Sequence, residues 1–286
     1  MELRLSRSGQ VFALIFPAIV LVTLTVIAPI CASLVESLTH NGSLSLENYR
    51  LFFQRPQYLQ ALKNTLFIAG SAASLTVALA FPACAFISRQ RPWAQGIFLA
   101  TIALSFAISG LVRTLSWQIM LGRQGPLNWV LQTFGLSGTP LETLYTRSAV
   151  IIGSAHIMLP VAAALIFAGM KRIDHAFVLA ARTLGASQWQ TFRSAYWPQI
   201  SGSVVNAWLM VFTLTTGFFI TAALLGGPSE VILGTLMQSD LMFDIDNGVG
   251  LASTSGVVLG LTLAVIYLAV GRLAGAAFYR RGGGHG

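Results

Sequence analysis

Apolar stretches long enough to be helices alternate with short polar connections along almost the whole chain. Charge-free runs cover Val11–Val35, Asn64–Ser88, Pro92–Val112, Ser148–Met170, the long segment Ser194–Ser229, and Asn247–Gly271. A helix of about 20 apolar residues crosses a hydrocarbon layer ~30 Å thick. The pattern therefore predicts an all-α, polytopic membrane protein. One transmembrane domain over 1–286 carries six spans, at 11–35, 64–88, 92–112, 148–170, 200–225 and 247–271. Six crossings put both termini on one side.

The segment 171–198 breaks the pattern. After Lys171-Arg172, apolar residues recur at Ile173, Phe177, Ala180, Ala181 and Leu184, the spacing of one helical stripe. Gly185 interrupts it, and a second short helix (Gln188–Tyr196) runs to Pro198. The shape is helix, glycine turn, helix. Periodicity alone fits an interfacial amphipathic helix as well as a surface for another protein. Small residues at 180, 181 and 185 admit close backbone approach and a tight bend.

Composition excludes a soluble domain: 9% of residues are charged and 55% hydrophobic, against about 25% charged in soluble proteins. Net charge is +8, and the cations sit at the ends of apolar runs rather than on one basic face, which argues against a nucleic-acid partner. The termini, the 89–91 turn and the 171–193 loop hold eleven: Arg4, Arg7, Arg89, Arg91, Lys171, Arg172, Arg182, Arg193, Arg272, Arg280 and Arg281. The opposite face holds six: Arg50, Arg55, Lys63, Arg113, Arg123 and Arg147. The Lys/Arg bias places the first group, and both termini, in the cytoplasm. The N-terminus resembles a signal sequence, but its apolar run exceeds the 7–15 residues of a signal core and no Ala-x-Ala follows, so an uncleaved first span is expected.

Candidate chemistry is sparse. Cys31 and Cys84 lie in apolar runs without metal-ligand spacing and read as buried small residues. His40, His156 and His175 are scattered, and neither His-Glu-x-x-His nor Gly-x-Ser-x-Gly occurs, which disfavours an intramembrane enzyme. No carboxylate falls within a predicted span, which disfavours ion-coupled transport. Arg113, at the outer end of the third span, should either snorkel or pair with Glu142 or one of the aspartates. Trp117 and Trp129 suit an interfacial belt. His156 suits an interhelical hydrogen bond. Asn206, Thr213, Thr215 and Thr216, with Trp208 between them, line either a solute pathway or a helix–helix contact. Glu230, Asp240, Asp244 and Asp246 make an acidic outer loop, able to attract a cation or a basic partner or simply to be solvated.

Leu179-Ala180-Ala181-Arg182-Thr183-Leu184-Gly185, continuing to Tyr196-Trp197-Pro198, resembles the EAA loop of ABC importer permeases: Glu-Ala-Ala, three residues, Gly, nine residues, Ile-x-Leu-Pro. Both alanines, the glycine and the proline stand at the right offsets. Leu179 replaces the usual Glu, and Ala195 and Trp197 replace Ile and Leu. A second stretch, Leu111-Val112-Arg113-Thr114-Leu115-Ser116-Trp117 with Leu121–Asn128, is similar to spermidine/putrescine permeases, and more loosely to permeases for iron, opine-type compounds and aminophosphonates.

The resemblance implies a bacterial inner-membrane permease subunit paired with a second, related permease. It also implies two ATPase subunits and an extracytoplasmic binding protein that delivers a small polar solute, a polyamine being the first expectation. Ala180, Ala181 and Gly185 are then contact and hinge positions on the ATPase, with Asp174, Arg182 and Pro198 supporting them. Asn206, Trp208, Thr213, Thr216, Arg113 and Trp117 are candidates for the pathway. No cofactor is expected on this chain. A phosphate-binding Gly-Lys-Ser/Thr is missing, since neither Lys63 nor Lys171 follows a glycine, so ATP and magnesium belong to the partner ATPase.

Overall fold

A computed structural model describes residues 7–40, 42–244 and 247–282, with side chains for 15–40, 42–244 and 247–272. Glu2, Arg4, Asn41 and Asp246, and the side chains of Arg7, Arg280 and Arg281, lie outside the described residues. The chain opens with α1 (Arg7–Val22), a π-helical turn (Thr23–Ile27), α2 (Ala28–Ser37) and a short hairpin pairing Thr39–His40 with Ser43–Leu44. Then come α3 (Glu47–Gln54), α4 (Pro56–Ile87), α5 (Pro92–Ala107), α6 (Gly110–Leu121), α7 (Pro126–Thr133) and α8 (Arg147–Met170). The second half holds α9 (His175–Thr183), α10 (Gln188–Thr191), a π turn (Phe192–Tyr196), α11 (Trp197–Thr216) and α12 (Phe219–Leu225). A 3-10 turn (Pro228–Glu230), α13 (Leu233–Phe243) and α14 (Gly248–Gly282) complete it. Proline opens α4, α5 and α7, where its fixed φ and missing N–H cost nothing.

Four helices are long and apolar enough to cross a membrane: Ile15–Ser37, Pro56–Ile87, Arg147–Met170 and Gly248–Arg272. The expected third and fifth spans are broken. α5 and the helical stretch from Gly110 meet at 93°, and Gln188–Thr216 meets α12 at 68°. The spans therefore number four, or up to six if each bent pair is one crossing. The first break falls at Ile108 and Ser109, both with extended ψ, just before Gly110. The second follows Thr213 and Thr216, whose hydroxyls bond back to the Leu209 and Thr213 carbonyls, and lies at Gly217-Phe218. Hydroxyl back-bonding bends helices, and glycine does not oppose the turn.

The chain divides into two compact units. In the first (Met1–Leu59 with Leu236–Thr262) the buried Asn48 organises the packing. Its amide donates to the Thr39 carbonyl (2.8 Å) and its oxygen meets His40 Nδ1 (3.1 Å). Gly250 lies so close that a Cβ there would come within 2.6 Å of the Asn48 amide nitrogen. Tyr58 donates to Asp240 at 2.9 Å; burial raises the Asp240 carboxyl above the usual range, and the phenol hydrogen bond opposes that shift. Cys31, expected to be buried, is exposed on α2; Cys84 is buried in the second unit.

The second unit (Gln60–Thr235 with Leu263–Gly286) is centred on α8 packed against α11. A Cβ on Gly169 would lie 2.2 Å from Ser203 Oγ, so the two helices approach through the missing side chain. Around that contact Ile166, Phe167, Ile200, Ala207 and Val211 form a continuous apolar core with Ala73 and Ala80 of α4. At the α8 start, Arg147 Nε donates to Glu230 Oε2 at 2.6 Å, and its guanidinium stands 5.2 Å from the Phe67 ring centroid. Asn64 joins the group by donating to the Ser229 and Val231 carbonyls. Glu230 is thus a buried ion-pair partner, not a free acid of an outer loop.

Gly169→Val overpacks the α8–α11 contact, at a cost of about 1–3 kcal/mol. The thermal unfolding midpoint of the purified chain in detergent should fall by several degrees. Gly202→Ala, whose added Cβ meets nothing within 4 Å, should leave the midpoint unchanged.

Candidate functional site

Two constellations stand out, and the first is the 171–198 segment. Asp174 caps α9: its Oδ1 accepts from Ala176 N (2.8 Å), while its own N–H donates to Gln199 Oε1 (2.8 Å). Gln199 Nε2 in turn donates to the Ala195 carbonyl (2.7 Å), so one side chain ties the start of α9 to the start of α11. Ile173 is buried beside Tyr196 and Ile200. At its far end α9 closes in a Schellman motif: Ala186 N donates to Ala181 O (3.1 Å) and Gly185 N to Arg182 O (3.0 Å). Gly185 has φ +84°, the left-handed region glycine adopts without a Cβ penalty.

The following helix starts with a capping box, in which Ser187 Oγ accepts from Gln190 N and Gln190 Oε1 accepts from Ser187 N. From Gln188 the helix continues into α11 through the π turn, where Trp197 N donates to Phe192 O. The wider turn sits directly before Pro198, whose ring would otherwise press on the preceding helical turn. Trp189, Phe192 and Tyr196 stack along it, with successive centroids 5.7 and 5.8 Å apart.

The outward face of the segment is bare. Phe177, Leu179, Leu184 and Trp189 are 63–88% exposed. Ala180, Arg182 and Gly185 are exposed, Ala181 is half-buried, and Arg182 makes no ion pair among the described residues.

The second constellation lies at the bend between α5 and α6. A cleft of about 570 Å³ is lined by Thr101, Ser105, Arg113, Ser116, Trp117 and His156, with Leu104, Ile108, Val112 and Met120 as its apolar walls. Arg113 stands in the first turn of α6, past the bend, rather than at the end of a straight third span. It reaches no carboxylate among the described residues. Its Nη1 donates to the Ile157 carbonyl of α8 (3.1 Å) and lies 3.5 Å from Ser105 Oγ, and its Nε is buried without a partner. Trp117 Nε1 donates to His156 Nδ1 at 3.1 Å, an interhelical bond inside the cleft; Trp129 stands apart, exposed.

The remaining pathway candidates do not join this group. Asn206 is exposed on α11. Trp208 stacks on Phe212 and donates to Ser74 Oγ (3.0 Å), Thr213 donates to Leu209 O with its Oγ1 lying 3.1 Å from Tyr267 OH, and Thr216 is buried and donates to Thr213 O. The structure thus unites Arg113 and Trp117 with His156, and adds Thr101 and Ser105. The i,i+4 spacing of those two hydroxyls was the available sequence signal.

A family model described as "binding-protein-dependent transport system inner membrane component" matches residues 80–280, which contain both constellations. The chain belongs to that family. It is 29% identical over 243 residues to the spermidine/putrescine transport system permease protein PotB of Haemophilus influenzae, covering 82% of this chain and 85% of that protein. Against PotB of Escherichia coli it is 29% identical over 227 residues, covering 79% and 82%. Its fold is similar to that of a bacterial ABC transporter involved in the import of the acidic polysaccharide alginate. The TM-score there is 0.75, at 18% identity, over 94% of this chain and 96% of that one. The permease is accordingly a multi-pass inner-membrane transport subunit of an ABC importer, and not itself an enzyme.

Gly185→Ala forces a Cβ into a left-handed conformation, costing about 1–2 kcal/mol, and Ser187→Ala removes a cap worth about 1 kcal/mol. Both should raise amide hydrogen exchange across 180–190 while leaving α8 protected, as read by mass spectrometry of the purified permease.

Proposed function

We propose that this permease is the translocating subunit of an ATP-driven importer, moved by an ATPase that docks on the 171–198 segment. In this reading the bent pairs are two of six spans, the 171–198 segment is a cytoplasmic coupling loop, and both termini are cytoplasmic. A second, related permease subunit, two ATPase subunits holding ATP and magnesium, and an extracytoplasmic binding protein complete the machine. One observation carries the docking. Phe177 and Leu184, seven residues apart on one stripe, stay bare together with Leu179 on a helix capped at both ends, and that helix is tied through Gln199 to a continuous helix entering the bundle. Exposed apolar patches of this kind mark partner surfaces.

Motion follows from the same connections. A load on α9 is transmitted through Ile173 and the Asp174–Gln199 hydrogen bonds to α11. α11 packs on α8, so the pair moves as a body between two arrangements. Ala180, Ala181 and Gly185 form the contact, Arg182 offers a polar rim, Asp174 sets the helix start, and Pro198 sits at the joint. Leu179 in place of the family's Glu makes this contact more apolar than in its relatives.

For the solute, two classes suit the family. The PotB relatives point to a polyamine such as spermidine or putrescine. Arg113 in a cleft lined by no carboxylate among the described residues favours an amino-acid derivative or aminophosphonate instead. Among the remaining pathway candidates, Asn206, Trp208, Thr213 and Thr216 extend the route along α11.

Gly185→Asp and Ala181→Glu should leave the permease inserted and folded while the ATPase no longer copurifies with it, or loses solute-stimulated hydrolysis by about tenfold, as expected when one unpaired charge is pressed into an apolar contact. Wild-type copurification and stimulation in proteoliposomes carrying both variants would refute the docking surface.

A further inference from the structure

We infer that the cleft between α5, α6 and α8 takes the acidic group, a carboxylate or phosphonate, of a zwitterionic solute. The inference rests on the permease reading above and names the chemical class of its cargo. It begins with an unneutralised charge. Arg113 is half-buried, makes no ion pair among the described residues, and keeps a buried Nε without a partner. Its bond to the Ile157 carbonyl fixes the direction of the guanidinium without cancelling its charge. A partly desolvated cation favours a counter-charge, and among the described residues no Asp or Glu lines the cleft.

The neighbouring groups share that polarity. α6 begins here, and Ser109 supplies no side-chain cap, so the first-turn N–H groups and the positive end of the helix dipole add to the guanidinium. Because His156 Nδ1 accepts from Trp117, the neutral ring carries its proton on Nε2 and is a second donor. The opposite preference appears nearby. The hydroxyl protons of Thr101 and Ser116 are committed to the carbonyls of Ile97 and Val112, which leaves their lone pairs as acceptors for an ammonium or hydroxyl. About 570 Å³ suits a small molecule with one acidic and one amino end. A pure polyamine would instead bring its ammonium groups against the guanidinium.

The complete transporter, reconstituted in nanodiscs with its binding protein, provides the test. Solute-stimulated ATP hydrolysis is measured with spermidine, putrescine, L-glutamate and 2-aminoethylphosphonate as probes. At least one acid-bearing probe should stimulate hydrolysis. Arg113→Gln should raise its half-saturating concentration about tenfold or more, the scale of one lost hydrogen bond to a charged group, and Arg113→Lys should recover most of that. Should Arg113→Gln fail to assemble, His156→Phe provides the same readout with a severalfold rise. Stimulation by the polyamines alone, by no acid-bearing probe, or with a half-saturation indifferent to these variants overturns the assignment. Loss of any associated ATPase would instead strike the permease reading, so the two failures are distinct.

Discussion

Backbone amides surrounded by hydrocarbon have to find their hydrogen-bond partners within the chain, and this constraint shapes each irregularity of the permease. The π turn at Phe192–Tyr196 keeps a helix hydrogen-bonded into Pro198. The helix break at Gly217-Phe218 stays satisfied because Gly217 N and Phe218 N donate to Leu214 O and Thr215 O. The bend after α5 is held from outside the backbone, by the Arg113 guanidinium on the Ile157 carbonyl. The π turn and the break at Gly217-Phe218 are thus satisfied within their own backbone, whereas at the bend after α5 a side chain engages a neighbouring helix. Such places in a membrane protein are where a pathway can open.

The same logic explains why the 171–198 segment is stiff. A loop joining two spans needs few contacts, yet this one is capped by Asp174, closed by a Schellman turn at Gly185, restarted by a capping box at Ser187 and clamped by Gln199. Each device contributes on the order of 0.5–2 kcal/mol. Together they keep a short helix ordered although its apolar face is uncovered. Rigidity there has little structural purpose in an isolated bundle, and it is what transmission of a load requires.

Much of this was legible in the residues. Hydrophobic runs placed three of the four long apolar helices within a few residues, because the bilayer sets a length that composition must meet. The start at Pro56 rather than Asn64 was hidden by Lys63, which a charge-free run excludes but a helix tolerates at its end. The glycine turn at 185 and the proline joint at 198 were legible because each residue is bound to a backbone geometry. The bends were not, since apolarity continues straight through Ile108-Ser109 and Gly217-Phe218. Nor were the partners of the charges: Glu230 finds Arg147 83 positions away, and Arg113 finds a carbonyl 44 positions on, pairings that depend on tertiary packing.

Why the cleft forms at the first bend also follows. Turning α6 by 93° from α5 removes a straight helix from the space beside α8 and brings its fourth residue, Arg113, against Ile157. Pro160, three residues further along α8, cannot donate to the His156 carbonyl, so the α8 ladder is already interrupted beside that contact. A guanidinium placed there anchors the bent helix to the interrupted one through a neutral acceptor, which leaves its charge available. Had Arg113 met a carboxylate, the bend would have been equally well held, but the cleft would carry no net preference for charge. In the proposed reading, a carbonyl rather than an acid as the anchor lets one residue both hold the bend and read a solute.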